Sequence, residues 1–238
     1  MSGHSKWNSI KHQKAAADAK KGAAFTRMAR NITLATREGG GIPETNAKLR
    51  MALDQARSVN MPKDNIARAI AKGTGEGSGE VLTENIYEGY GPAGVALIIK
   101  VVTDNTNRSV SDLRHALSKH GGSLGESGSV MWNFELKGVI RVQASGANRE
   151  SIELAAIEAG ADDIKNDTDS IIATTDPRHL QELKKTLEAQ EFIIEFADIE
   201  YVPKNTVALS EADKKKLESL TEALEDLEDV NDFYDNAV

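Results

Sequence analysis

Eight lysines and arginines stand in the first 37 residues: Lys6, Lys11, Lys14, Lys20, Lys21, Arg27, Arg30 and Arg37. One acid, Asp18, opposes them. Cationic N–H donors strung along a chain at this density bind phosphate oxygens and release the counterions that phosphates carry. The whole chain is formally −8, so this stretch runs against its surroundings. Residues 1–80 hold fourteen basic side chains against seven acidic ones, and residues 81–238 hold fifteen against thirty. A basic head on an acidic body points to a polyanion partner at one end. The same charges also fit a solvated Lys/Arg face on an ordinary helix. Trp7, beside Lys6, is either a stacking surface for a base or an anchor that pins the arm to its own domain.

Catalytic spacings are few and incomplete. Gly89-Tyr-Gly91-Pro-Ala-Gly94 matches GxGxxG, but Pro92 and the strand-like VALIIKVV follow where a dinucleotide fingerprint needs a helix to open. Gly125-Glu-Ser127-Gly-Ser129 ends in Ser where a nucleophile elbow needs Gly. No GxxxxGK[ST] occurs. Of the five histidines (His4, His12, His115, His120, His179), no two are four residues apart. His115 and His120 are separated by roughly 140° around a helix. The acids at Asp162, Asp163, Asp226, Glu228 and Asp229 lie in polar runs and read as solvated. There are no cysteines, which excludes disulfides, thiolate metal sites and Cys nucleophiles. The expectation is no enzyme, no cofactor and no metal. The start of the chain lacks an apolar signal core, and no apolar run reaches the ~18 residues of a membrane span, so a cytoplasmic protein is expected.

The elements that must carry the basic residues come first. Residues 11–37 are Ala-rich, and Phe25, Met28, Ala29, Ile32 and Ala35 make one apolar stripe. Lys20, Arg27, Arg30 and Arg37 fall opposite it, while Lys14 and Lys21 do not, so the helix before Gly22 is either fully exposed or reoriented. Glu38-Gly39-Gly40-Gly41 ends the helix. Two more short helices are predicted over 44–58 and 62–72, with Pro62 at the first turn of the second. Three short amphipathic helices make a small bundle, and GTGEGSG (residues 73–79) reads as a hinge.

Past the hinge the period changes to strand. Residues 85–90 and 95–102 form a hairpin across Gly91-Pro92-Ala93-Gly94. Residues 103–107 read as a loop, 109–120 as a helix, and Val130, Trp132 and Phe134 alternate as a strand. Residues 136–204 then read βαββαβ, the ferredoxin-like order. Ser210 to Asp213 looks like a capping box ahead of an acidic helix with Leu217, Leu220, Leu224 and Leu227 on one side. The fold class is α+β, a three-helix domain (1–80) and two ferredoxin-like domains. The middle one lacks a second helix in 81–135, and the C-terminal helix of 205–238 supplies it, which makes 136–204 an insertion.

Three long blocks carry a resemblance: MSGHSKWNSIKHQKAAADAKKGAAFTR at the start, NMPKDNIARAIAKGTGE from Asn60, and YEGYGPAGVALIIKVVTDNTNRS from Tyr87, continued by GGSLGESGSVMWNF from Gly121. Together they resemble the YebC/PmpR family, whose mitochondrial relative is the translational activator of cytochrome c oxidase. Val101-Val102 stand where an acid often precedes the TDN loop, and Ser109 replaces a common Thr. The resemblance implies a cytoplasmic three-domain protein without enzyme activity. It implies either DNA-binding transcriptional regulation or ribosome-associated action on RNA at proline-rich stretches. The nucleic-acid contacts expected are Lys6, Trp7, Lys11, Lys14, Lys20, Lys21, Arg27 and Arg30. A second surface is expected at Tyr90, Asn105, Asn107 and Arg108, although an Asn in that loop also suits a helix cap.

Overall fold

The computed structural model describes residues 18–75, 81–146 and 148–238, with the side chains of residues 18–21 and 23 outside the description. Two compact units divide the chain. The first joins the described residues between 18 and 130 to residues 207–237, and the second holds the described residues of 131–206.

The helical part consists of α1 (Asp18–Gly39), α2 (Ala47–Ser58) and α3 (Lys63–Gly73). Helix α1 runs through Gly22 without a break. Met28, Ile32 and Ala35 bury one stripe of it against Leu49, Leu53, Ala56 and Ala69. Asn46 explains where α2 begins. Its Oδ1 accepts from Leu49 N at 3.0 Å, while its Nδ2 donates to Ala35 O at 2.7 Å and Gly40 O at 2.8 Å. One amide thus caps the start of α2 and the end of α1. Gly73 sits where α3 meets α1. A Cβ there would lie 2.5 Å from Thr36 Cβ and 2.7 Å from Thr33 O, so only glycine permits the approach.

The chain then forms β1 (Thr83–Tyr90), a 3-10 turn at Pro92–Gly94, β2 (Ala96–Thr103), α4 (Thr106–Lys119) and β3 (Ser123–Leu124). The GxGxxG match falls on a reversal between antiparallel strands, with Gly91 N bonded to Val95 O at 2.7 Å. No helix N-terminus opens there, so the match is a hairpin turn. Helix α4 starts at Thr106, three residues earlier than expected, because Asn105 Oδ1 caps it by accepting from Arg108 N at 3.1 Å. The strand expected over residues 130–134 is absent. Met131–Asn133 is a 3-10 turn with Trp132 67% exposed, and Phe134 opens the next strand instead.

The second unit contains β4 (Phe134–Gln143), α5 (Arg149–Glu158), β5 (Asp163–Asn166), β6 (Ser170–Thr175), α6 (Leu180–Ala189) and β7 (Ile194–Pro203). Its sheet order is β5-β6-β4-β7, antiparallel throughout, which is the ferredoxin-like arrangement. The chain returns to the first unit through α7 (Glu211–Glu225), capped by Ser210, and ends on β8 (Val230–Asp235). Strand β8 was not legible in the sequence, since VNDFYD carries too many polar residues. It pairs antiparallel with β2 and completes the order β3-β1-β2-β8. This sheet has the same size and number of helices as the other, but its central strands are a hairpin, so its connectivity is ββαβαβ. Leu217, Leu220 and Leu224 of α7 pack with Leu113 and Leu117 of α4 over Leu97, Ile99 and Val101.

Candidate nucleic-acid interface

Of the expected nucleic-acid contacts, Lys6, Trp7, Lys11 and Lys14 lie outside the described residues, and Lys20 and Lys21 are described only as backbone in α1. Arg27 and Arg30 are placed in detail, and both are already engaged. The Arg27 guanidinium donates to Glu225 O, near the C-terminal end of α7, at 3.0 Å. Arg30 donates to Glu228 O at 2.5 Å and Glu228 Oε1 at 2.9 Å, and pairs with Asp229 Oδ1 at 3.3 Å. A helix C-terminus collects unpaired carbonyls and partial negative charge, which suits two cations. These two arginines dock the helical part on the acidic segment 225–229.

Asp229 is the hub of that contact. It is 7% exposed, which corrects its reading as a solvated acid. Its Oδ2 accepts from Ser109 Oγ at 2.8 Å, Thr103 Oγ at 3.0 Å and the Arg108 guanidinium at 2.9 Å. Burial pushes this carboxyl upward, but the hydrogen bonds from Ser109, Arg108 and Thr103 outweigh it and hold Asp229 below the usual carboxylate range. Its hydrogen bonds with Asp229 and Asp104 raise Arg108 in turn. Much of the TDNTNRS block thus serves the fold: Thr103, Arg108 and Ser109 bind one carboxylate, and Asn105 caps α4.

The second expected surface is not one surface. Tyr90 faces Ala96 at one end of the hairpin, and Thr103 faces Thr83 at the other. Seven residue steps separate Tyr90 from Thr83, roughly 24 Å of strand. Tyr90 Oη donates to Ser129 O at 3.1 Å and pins the loop that follows β3. Asn107 is exposed on the first turn of α4.

A groove of 360 Å³ that sequence reasoning missed runs between α1 and α3. Phe25, Ala29, Met61 and Ala69 form its apolar floor, and Arg30, Arg68, Lys72 and Leu82 also line it. No lining residue is acidic. The signal was available as Phe25, Ala29 and Thr33 on one helix and Asn65, Arg68 and Lys72 on another, but nothing in the sequence says which faces meet. Among the described residues, no cluster of three or more His, Asp or Glu side chains is placed to hold a metal, and no helix is long and apolar enough to cross a membrane.

Residues 5–76 match the model of the TACO1/YebC protein N-terminal domain, and residues 82–237 match that of the TACO1/YebC second and third domain. A probable transcriptional regulatory protein of Pseudothermotoga lettingae is 51% identical over 237 residues, covering 99% of this chain and 93% of its own. One of Thermomicrobium roseum with the same description is 52% identical over 238 residues, covering 100% and 96%. The crystal structure of a conserved hypothetical protein from Aquifex aeolicus superposes with a TM-score of 0.87 at 44% identity, covering 94% of this chain and 93% of that one. From its first helix to its last strand, the chain belongs to the TACO1/YebC family.

Proposed function

We propose that this chain is a cytoplasmic, non-catalytic, nucleic-acid-binding regulator, and that it acts as a DNA-binding transcriptional regulator gripping phosphates through its basic helical domain. The observation that carries this reading is the charge division, fourteen basic residues against seven acidic ones in residues 1–80 and fifteen against thirty after them. Lysines ahead of Gly22 supply the phosphate contacts, since Arg27 and Arg30 are committed to the acidic segment. Contacts of this kind position a duplex without reading its bases, so sequence preference is weak. The names of the curated relatives support regulation of transcription.

A second reading is an RNA- or ribosome-bound translation factor that relieves stalling at proline-rich stretches. The groove between α1 and α3 favours it, because bases buried in a duplex cannot enter such a space. The test reverses Lys11, Lys14 and Lys20 together to Glu and leaves Arg27 and Arg30 untouched. Promoter-duplex binding and ribosome co-sedimentation are then compared. Loss of duplex binding supports transcriptional regulation, loss of ribosome association alone supports the second reading, and no change in either removes the basic head from both.

A further inference from the structure

We propose that the groove between α1 and α3 receives one unpaired nucleotide of a single-stranded stretch, with its base on the apolar floor and its phosphate on Arg68 and Lys72. This rests on the nucleic-acid reading above and names the ligand's chemical class. Three observations meet here. First, the space of 360 Å³ falls within the roughly 300–1,000 Å³ of small-ligand sites. Second, its floor is apolar, made of Phe25, Ala29, Met61 and Ala69, with the Phe25 ring partly exposed. A base has an apolar face of that kind, and stacking on an aromatic ring tolerates any sequence. Third, the lining carries three cations and no carboxylate, in a chain of formal charge −8.

The cations divide by position. Arg30 is held by Glu228 and Asp229 and acts as a fixed wall. Arg68 is exposed, and its guanidinium is tied within its own helix to Asp64 O and the Asn65 side chain. A phosphate therefore reaches Arg68 without opening the fold. Lys72 follows one turn later on the same face of α3. Asn65 Oδ1 is taken by Arg68, which leaves its Nδ2 to donate to the polar edge of a base, and the Thr26 hydroxyl, which donates to Gly22 O at 3.1 Å, keeps a lone pair to accept. An acidic peptide would satisfy the cations but leave the apolar floor against solvent, so a nucleotide is the better match.

The experiment uses the full chain and fluorescein-labelled oligonucleotides: eight uridines, eight thymidines, and a hairpin duplex. One variant, Thr26→Trp, fills the groove mouth at an exposed position without changing charge. A second, Arg68→Gln with Lys72→Gln, removes the phosphate contacts and leaves the floor. Both are expected to weaken single-strand binding about tenfold or more and to leave duplex binding unchanged. A 5-iodouridine probe is expected to cross-link to Phe25 or Met61. Tighter binding of uridines than thymidines adds a contact to the 2′-hydroxyl, and equal binding places recognition in base and phosphate alone. Either pattern supports the groove when the variants lose affinity. The proposal is overturned if wild type binds single strands and both variants bind them equally well, which leaves the nucleic-acid reading intact. Displacement by an octaglutamate peptide at equal concentration overturns it in favour of an acidic peptide. Failure of wild type to bind any of the three oligonucleotides overturns both readings.

Discussion

Asp229 and Asp235 are both buried carboxylates near the C-terminus, yet their surroundings drive them in opposite directions. Asp229 gathers donors from Thr103, Arg108, Ser109 and Arg30, and its pKa is lowered. A lowered folded pKa contributes stability above the unfolded value of about 4, which is lost as pH falls through the folded pKa. Asp229→Asn is therefore expected to cost about 2–3 kcal/mol at pH 7, measured by urea denaturation, with the gap to wild type closing below about pH 4. Asp235 lies opposite Leu97 on the sheet face that carries the core, and only Ala237 N, at 2.8 Å, donates to it among the described residues. Burial pushes it up to about 7. The sign reverses here. The folded state keeps a proton that the unfolded chain releases, so stability falls as pH rises from about 4 to 7, by up to roughly 4 kcal/mol. Asp235→Asn should flatten that slope and raise the melting temperature at pH 8 more than at pH 5. A variant with the wild-type slope would show that another group causes it. Neither role was legible in LEDVNDFYD, because a string of acids looks solvated until the elements that cover it are known.

The elements themselves were largely legible where a period was clear. The hairpin of β1 and β2, the leucine stripe of α7 and the βαββαβ order of residues 136–204 all follow from spacing. Boundaries failed where a side chain decided them. Asn46 sets the start of α2 through hydrogen bonds that propensity does not anticipate, while Asn105 takes the helix-cap role that an Asn in its loop suits and so opens α4 at Thr106. Asn46→Ala removes a cap and two bonds to the end of α1, so a loss of about 2–4 kcal/mol is expected by thermal or chemical unfolding. The close approach of α1 and α3 depends on Gly73, and Gly73→Ala would place a methyl group against Thr33 and Thr36. A loss of about 1–3 kcal/mol is expected, and a stability equal to wild type would mean that the helices separate at no cost.

For the molecule as a whole, the division of charge was the most readable property, and its use was the least. Counting residues placed the cations at one end. It did not separate Arg27 and Arg30, which hold the helical part on the acidic segment, from the lysines before them. Nor did it reveal that α1 and α3 leave an acid-free groove, because that depends on which faces meet. Central to this account is a polyanion bound through the lysines of the first helix and the residues ahead of it. The most direct measurement is the slope of log binding constant against log salt concentration for the full chain on duplex and on single-stranded RNA, with and without Lys11→Glu, Lys14→Glu and Lys20→Glu. Removing three phosphate contacts is expected to reduce the slope by about 2–3 and to weaken binding on at least one of the two nucleic acids. An unchanged slope on both, with the variant still folded, would contradict the account.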